Sequence, residues 1–418
     1  MMKDSGIEWV GSIPGKWDVI PAGGLFTEIK EKNKNLKYTN PLQFRFGTIV
    51  DKAYTGDLDE SLLETLRTYT CVEPDTIMLN GLNLNYDFIS QRVGIVTKPG
   101  VITSAYLAVY PDKKRILPRY ANYLLKAYDS IFVFHGMGSG VRKTLQWKDF
   151  KNLKFVLPSI EEQATIIKAL DSLCAKTDTL IANVQTQIEK LKAYKQSLIT
   201  EVVTKGLDPT VPMKDSGVEW IGRIPEQWCT IRVKYLLQER KERSVDGLEE
   251  PLSMSQKLGL VPTRMLDMIP NMASSFVGAK LAYVDDLVFN KLKAHLGVFS
   301  VSKYDGLVSP DYAVYYSTDK VHLKYLEYLF KTPQCISEFR KRSTGIAAGL
   351  TRLYTDGLFA IECPFPGMDE QLAIVEHLNK KCAQIDRLIA IKQAKIEKLE
   401  QYKRSLIYEY VTGKKEVC

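Results

Sequence analysis

The sequence contains two copies of one unit. Lys3 to Pro14 reads KDSGIEWVGSIP, and Lys214 to Pro225 reads KDSGVEWIGRIP, 211 residues later. A second pair of related strings, EEQ at 161–163 and DEQ at 369–371, recurs after 208 residues. The length of the stretch between the shared segments therefore differs by only three residues between the copies. Because self-similarity at a fixed period constrains the whole architecture, we expect two equivalent halves with shared ends and a divergent middle.

Composition places the chain among ordinary globular proteins. It has 418 residues, of which 45% are hydrophobic and 25% charged, so it can bury sizeable cores. Length alone suggests about three domains, but the repeat favours two copies of a two-part unit. The 57 basic and 49 acidic residues leave a net charge of +8. This surplus permits a polyanionic partner without requiring one.

Cysteine usage and hydropathy exclude several classes of protein. The seven cysteines are odd in number and contain no Cys-x-x-Cys pair, which argues against a disulfide framework and against a zinc site. No run of 18 apolar residues occurs, so we expect no membrane partner. Together these features predict a soluble cytoplasmic protein without a metal.

Heptad spacing of apolar residues predicts one long helix in each copy, within the spacer segments 158–206 and 366–418. Pro158 and Pro366 precede the helices, and Gly206 and Gly413 follow them, as helix start and stop signals require. The predicted core positions of the first helix are Ile167, Leu170, Cys174, Ile181, Val184, Ile188, Leu191 and Leu198. Those of the second are Val375, Leu378, Cys382, Ile385, Ile389, Ile396, Leu399 and Leu406.

Each of these narrow apolar stripes needs a partner, and the two helices most economically cover each other. An antiparallel coiled coil with a pseudo-two-fold axis is favoured over a parallel one, because it places one domain at each end. Pairing with helices of another chain is the alternative. Lys195, Lys392 and Lys403 occupy stripe positions, so we expect the seam to be interrupted there or opened toward a partner.

The two divergent stretches have the pattern of mixed α/β domains. Short runs at 75–80 and 285–290 predict a strand that ends in asparagine, and the runs at 100–110 and 306–316 predict a further strand. Amphipathic segments at 119–126 and 324–331 predict a helix in each copy.

No catalytic constellation is present in the sequence. The four histidines, at 135, 295, 322 and 377, stand without metal-ligand spacing, and no phosphate loop of the G-x-x-x-x-G-K-[ST] type occurs. We therefore expect no catalytic residue, no metal and no cofactor in this chain.

Glycine-rich segments with nearby cations are the first candidate contacts for a polyanion, because backbone N–H groups and cations both bind phosphates. The same combination occurs at the equivalent place in each copy. A flexible connection with solvated charge is the alternative interpretation. The candidates are Gly138, Gly140, Arg142 and Lys143 in the first copy and Arg340, Gly345, Gly349 and Arg352 in the second.

Loops after the asparagine-ended strands are the second candidates. Asn and Gln side chains suit adenine in the DNA major groove, whereas Arg and Lys suit guanine. The two loops differ in length, as two different target sequences would require, although plain loop drift predicts the same. The candidates are Asn83, Asn85, Gln91 and Arg92 in the first copy and Lys291, Lys293 and His295 in the second.

Several of these strings resemble the specificity (S) subunits of type I restriction-modification systems. The resemblance covers almost the whole chain. It rests on the opening segment 3–17 with its recurrence at 214–228, and on the helix entries at 158–163 and 366–371. It also rests on YKQSLI at 194–199 and YKRSLI at 402–407. No one string is decisive, but two copies in the right order are specific.

The resemblance implies a mixed α/β (α+β) fold in which two globular target-recognition domains, 1–157 and 207–365, are separated by the two long helices. It implies that each domain binds half of a bipartite, asymmetric site on double-stranded DNA, while the antiparallel helices act as a spacer. It also implies a non-catalytic subunit. Adenine methylation would belong to modification subunits, two copies by pseudo-symmetry, and ATP-driven translocation and cleavage to restriction subunits.

Two other functions are compatible with the residues. One is a standalone adaptor or DNA-binding protein with two dissimilar domains and no enzyme partner. The other is a nuclease or methyltransferase whose site follows no recognisable motif, which would bind a metal ion or S-adenosylmethionine by itself.

Overall fold

The computed structural model describes residues 1–45, 47–53, 59–138, 142–256, 258–266, 275–347 and 350–416. The chain forms two compact units. Unit 1 comprises Met1–Gln185 and Gln393–Cys418, and unit 2 comprises Thr186–Lys392. Each of the two long helices contributes one part to each unit. The predicted domain boundaries follow the ends of the helices instead, and they stay predictions.

Unit 1 contains a four-stranded antiparallel sheet in the order β4-β11-β8-β9, with two-stranded pairs around it. Its strands are β1 (Met2–Asp4), β2 (Ser12–Pro14), β3 (Asp18–Pro21), β4 (Phe26–Glu28), β5 (Leu42–Arg45), β6 (Thr48–Asp51), β7 (Thr70–Val72), β8 (Ile77–Leu79), β9 (Val93–Ile95), β10 (Gly100–Ile102), β11 (Leu107–Pro111) and β12 (Lys154–Leu157). Its helices are α1 (Glu60–Arg67), α2 (Pro118–Ser130), α3 (Trp147–Phe150) and the first part of α4 (Ile160–Lys205).

Unit 2 contains the same sheet, in the order β16-β23-β20-β21. Its strands are β13 (Met213–Asp215), β14 (Arg223–Pro225), β15 (Cys229–Arg232), β16 (Leu237–Glu239), β17 (Leu252–Ser255), β18 (Gly259–Pro262), β19 (Lys280–Ala282), β20 (Leu287–Asn290), β21 (Phe299–Val301), β22 (Gly306–Val308), β23 (Tyr312–Ser317), β24 (Thr344–Ala347), β25 (Leu350–Arg352) and β26 (Glu362–Phe365). Its helices are α5 (Leu323–Phe330), α6 (Pro333–Arg342), α7 (Thr355–Phe359) and the first part of α8 (Met368–Val411).

The mixed α/β class and the internal repeat are confirmed, with one correction to the strands. The run at 100–110, predicted as one strand, forms β10 and β11, and the run at 306–316 forms β22 and most of β23. The two strands of each run pair with different neighbours, since β10 pairs with β7 while β11 pairs with β4 and β8. Apolar content alone does not reveal the intervening turn.

A buried tryptophan ties the shared opening segment of each copy to the start of a long helix. The Trp17 indole Nε1 donates to Glu162 Oε1 at 3.0 Å in unit 1. The Trp228 indole donates to Glu370 Oε2 at 2.7 Å in unit 2. Both indoles are buried, so the carboxylates satisfy donors that would otherwise lose their bond to water.

A buried glutamine and a buried tyrosine hold the same positions in both units. Gln163 accepts from Leu117 N in unit 1, and Gln371 accepts from His322 N in unit 2, both at 2.8 Å. The Tyr120 hydroxyl donates toward the carbonyls at the ends of β12 and α8, and the Tyr325 hydroxyl donates toward those at the ends of β26 and α4. The end of one long helix therefore lies beside the strand that precedes the other.

Within each unit the two long helices run antiparallel. In unit 2, Lys392 Nζ donates to Gln187 Oε1 and Lys195 Nζ to Asp386 Oδ2, both at 2.6 Å, so positions rise along α4 as they fall along α8. In unit 1, Lys403 Nζ lies 2.6 Å from Asp178 Oδ1.

The stripe lysines correct the expectation that the seam breaks at them, because each ammonium reaches an acceptor on the facing helix. The core positions predicted from the heptad pattern are all withdrawn from solvent to some degree. The buried ones are Leu170, Cys174, Val184, Ile188, Val375, Leu378, Cys382, Ile385, Ile396 and Leu406. The half-buried ones are Ile167, Ile181, Leu191, Leu198, Ile389 and Leu399.

Candidate nucleic-acid interface

In unit 1 the structure brings the two candidate contact segments together. The loop after β8 is closed by a hydrogen bond from Asn80 N to Arg92 O at 2.8 Å, and we call residues 81–91 the tip loop. Leu84 N donates to Lys143 O at 3.0 Å, and Leu145 N donates to Gly81 O at 2.9 Å. The tip loop and the segment from Arg142 onward therefore form one surface.

Unit 2 joins its two candidate segments in the same way. A hydrogen bond from Asn290 N to Val298 O at 3.1 Å closes the loop 291–297. Leu353 N donates to Lys291 O at 3.0 Å, directly after β25. Sequence reasoning found both segments but could not show that they meet, because no local pattern encodes their hydrogen bonds.

Two predictions for unit 2 need correction in secondary structure. Gly345 and Arg352, predicted to lie in a glycine-rich loop, lie in the hairpin of β24 and β25, where Gly345 pairs with Thr351 and Thr344 with Arg352. Arg352 Nη2 lies 2.6 Å from Asp311 Oδ1. The pairing orders the backbone here, and the ion pair engages the arginine with a carboxylate of its own unit.

Arg92 is not available to read a base, contrary to the sequence prediction. Its side chain is 1% exposed. Nη1 donates to the carbonyls of Asn80 and Leu82 at 3.0 and 2.8 Å, and Nη2 donates to that of Asp87 at 2.6 Å. A guanidinium has a fixed fork of donors, and this one is directed into the tip loop.

The other predicted contact residues are accessible to differing degrees, and DNA contact by them stays a prediction. Gly140 and Gly349 lie outside the described residues. The exposed positions are Asn83, Gln91, Arg142, Lys293, Arg340 and Gly345. The half-buried positions are Gly138, Asn85, Lys143, Lys291, His295 and Arg352.

Asp87 is a structural residue of the tip loop that sequence reasoning missed. Its Oδ1 accepts from Ile89 N at 3.1 Å and from Ser90 N at 2.9 Å. Hydrogen bonding by Ser90 lowers the pKa of Asp87 to about 2. The Asp-x-x-Ser spacing is a usable signal, since aspartate often accepts from backbone groups two and three residues ahead.

A cavity of about 630 Å³ lies in unit 1 between the tip loop, α2 and the long helices. Phe88 and Ile89 line one side of it, and Lys126 and Asp129 line another. Burial raises the pKa of Asp129 to about 6 and lowers the pKa of Lys126. Asp129 Oδ2 accepts from Arg92 N at 2.8 Å, which links α2 to the base of the tip loop.

The long helices present the same apolar pair in both units. In unit 1, Leu180 and Tyr402 are exposed and flank the ion pair of Asp178 and Lys403 in sequence. Leu388 and Tyr194 are exposed and flank the ion pair of Asp386 and Lys195 in unit 2. We call these the helix patches. Exposed apolar side chains that recur at equivalent positions indicate an interaction surface.

In the part of the chain that the structure describes, no group of three or more His, Cys, Asp or Glu side chains could hold a metal ion. Over the same residues, no helix is both long and apolar enough to span a bilayer.

Comparison with known proteins identifies the family. Residues 91–190 match the family model of the type I restriction modification DNA specificity domain. A curated relative, the type I restriction enzyme MjaVIII specificity subunit of Methanocaldococcus jannaschii, is 23% identical, with 96% of this chain and 93% of the relative covered. The chain belongs to the specificity subunits of type I restriction-modification systems. This specificity subunit thus matches its relative over nearly the full length of both.

Other comparisons agree in length and fold. The putative MjaX specificity subunit of the same organism is 26% identical to this specificity subunit over 97% of this chain and 95% of the relative. A chain solved in work on complex assembly and conformational transition of the type I system shares its fold with a TM-score of 0.69 at 13% identity, over 96% of this chain and 98% of that one. The HsdS subunit of Thermoanaerobacter tengcongensis has a TM-score of 0.50 at 15% identity, with 96% and 98% covered.

Proposed function

We propose that this specificity subunit reads a bipartite, asymmetric site on double-stranded DNA, with one half read by each unit. The observation that carries the proposal is that one scaffold bears two different loops at the same place. The loop after β8 spans eleven residues, 81–91, whereas the loop after β20 spans seven, 291–297. Equivalent sheets with unlike loops are what two unlike half-sites require, because loops on a rigid scaffold carry recognition.

The two loops also differ in the hydrogen-bonding side chains that they expose. Asn83 and Gln91, exposed in unit 1, offer the amide pairs that suit adenine, and Lys293 in unit 2 offers a donor that suits guanine. Arg142 is exposed next to Lys143, whose carbonyl accepts from the tip loop, and Arg340 is exposed on α6, which contacts residues 294–296 of the loop in unit 2. Such cations fix the protein on phosphates without reading sequence.

In this role the chain carries out no catalysis itself and directs its partner subunits to the DNA site. Modification subunits would methylate adenine within the site, and restriction subunits would cleave DNA after assembling on the same complex. The recurrence of the helix patches supports two copies of one partner, since each unit offers an equivalent surface. We assign these patches to the modification subunits.

Mapping of methylated adenines in cells with and without this chain tests the proposal. We expect one bipartite motif to lose methylation when the chain is absent. The cells must retain an active modification subunit, which pull-down with the tagged chain would identify. Unchanged methylation in such cells would overturn the proposal. Specific DNA binding by a chain that retains no methyltransferase would instead support the standalone DNA-binding function.

A further inference from the structure

The tip loop of unit 1 exposes a cluster of large apolar side chains. Tyr86 is 68% exposed, Phe88 is 56% exposed and Ile89 is 95% exposed. Soluble proteins expose isolated apolar residues commonly, but neighbouring ones in one short loop mark an interaction site. The DNA-contact candidates predicted from the sequence in this loop were its amides and its arginine, and these three apolar residues were not among them.

Hydrogen bonds hold this loop in one conformation. The buried Arg92 guanidinium donates to the carbonyls of Asn80, Leu82 and Asp87, so a single side chain joins the start of the loop to its centre. Asn83 adopts a left-handed backbone conformation with φ of +53°, and its carbonyl accepts from Tyr86 N and Asp87 N. Such a loop loses little conformational entropy when it binds.

Aromatic packing supports Tyr86, Phe88 and Ile89, which we call the apolar tip. The Phe88 ring stacks on His135 with ring centres 4.8 Å apart, and it meets Phe132 edge-on at 5.9 Å. His135 Nε2 is 3.0 Å from Asp87 O. Phe88 is therefore held against the unit, which leaves Tyr86 and Ile89 as the projecting side chains.

Two observations indicate DNA as the occupant and not a protein partner. The helix patches recur in both units, as a surface for two copies of one partner should, whereas the apolar tip belongs to a loop that differs between the units. The tip loop also adjoins the exposed Arg142 through the hydrogen bond of Leu84 N to Lys143 O. A cationic neighbour complements the phosphates that flank any base contact.

We propose that Ile89 inserts between base pairs of the half-site read by unit 1, that Tyr86 packs beside it, and that Arg92 is the positioning residue that holds both in place. Apolar side chains that enter a base step unstack it and bend the duplex. Reading by insertion favours steps that unstack easily, such as TA and CA. The inference rests on the proposed function and adds a mode of recognition to one of its two half-sites.

The test uses the complex of the chain with its modification subunits and a duplex carrying the mapped motif, with 2-aminopurine placed in turn at each step of both half-sites. Stacking quenches this base, so insertion raises its fluorescence. Methyltransferases take their target base out of the stack, so we expect a rise at each methylated adenine. Insertion adds a rise at one further step, in one half-site only. Ile89→Ser should abolish the rise at this further step, leave the rises at the methylated adenines, and lower discrimination in that half-site about tenfold, as a lost base contact does.

Matched variants separate insertion from general damage. Val245→Ser removes another apolar side chain, 90% exposed in unit 2, and should leave both readouts unchanged. Arg92→Lys keeps the charge but replaces the fork by one ammonium, so buried carbonyls of the tip loop lose their donors. It should lower the fluorescence rise at the further step and the melting temperature, while discrimination in the other half-site stays as in the wild type.

Each remaining outcome counts against the inference in a distinguishable way. A rise at the further step that survives Ile89→Ser would exclude Ile89 as the inserting residue, and rises at the methylated adenines alone would exclude insertion. Loss of the modification subunits from the Ile89→Ser complex, but not from the Val245→Ser complex, would make the tip a protein contact. A wild-type complex without any methylation motif would overturn the proposed function itself.

Discussion

The ammonium of Lys403 on α8 lies 2.6 Å from the carboxylate of Asp178 on α4. Lys195 and Asp386 form the same pair with the helices exchanged. An apolar stripe position thus accommodates lysine, because the long side chain covers the seam and its charge ends at a carboxylate on the facing helix.

Exchanging the charges of this pair should test its contribution. Asp178→Lys alone places two cations together in unit 1 and should lower the free energy of unfolding, and adding Lys403→Asp should restore most of the loss. Because both side chains are partly exposed, we expect a coupling of about 0.2–1 kcal/mol. A double-mutant cycle by urea unfolding measures it, and zero coupling at low salt would contradict the prediction.

Removing the acceptor of a buried indole should cost more. Glu162→Ala leaves Trp17 Nε1 without its partner and should destabilise unit 1 by about 1–3 kcal/mol. Glu162→Gln keeps an acceptor oxygen and serves as the control. Thermal unfolding followed by tryptophan fluorescence compares the two, and equal melting temperatures would show that water replaces the carboxylate.

The glycine after α8 should tolerate no side chain. Gly413 has a φ of +69°, and a Cβ there would lie 2.3 Å from Cδ of Pro14. Gly217 has a φ of +73° but open space around it. Gly217→Ala should therefore cost only the left-handed conformation, about 1–2 kcal/mol, and Gly413→Ala more. Equal losses in chemical denaturation would refute the steric argument.

The buried Asp129 should make stability depend on pH. Burial raises its pKa in the folded protein to about 6, above the ordinary value of 3.8, so the folded state retains the proton over this interval. Stability from this group is full below about pH 4 and is lost as pH rises to about 6. Asp129→Asn should remove this slope and stabilise the protein at pH 7 by up to about 3 kcal/mol. Unfolding curves between pH 4 and 8 measure the difference.

Disrupting one helix patch should remove one partner. Leu180→Arg in unit 1 and Leu388→Arg in unit 2 each place a charge in one patch. We expect either variant to form a complex with one modification subunit instead of two, and the double variant to bind none. Native mass spectrometry counts the subunits. Two subunits retained by both single variants would locate the partner surface elsewhere.

Local patterns were sufficient for the scaffold. The repeated strings predicted two equivalent halves, and heptad spacing predicted two long helices that the structure confirms as Ile160–Lys205 and Met368–Val411. Gly206 and Gly413 follow their ends with positive φ. These features depend on neighbours a few residues apart, so a linear sequence displays them directly.

Only the tertiary structure showed which residues distant in sequence become hydrogen-bond and ion-pair partners. An arginine such as Arg92 is a residue type that reads bases, yet the tip loop surrounds its guanidinium and buries it. From the sequence, Lys403 is expected to interrupt the apolar seam, yet Asp178 lies opposite it and pairs with its charge. A polar side chain can donate hydrogen bonds to DNA, to water or to acceptors of its own chain. Only the position of those acceptors in the folded protein determines which of these it does.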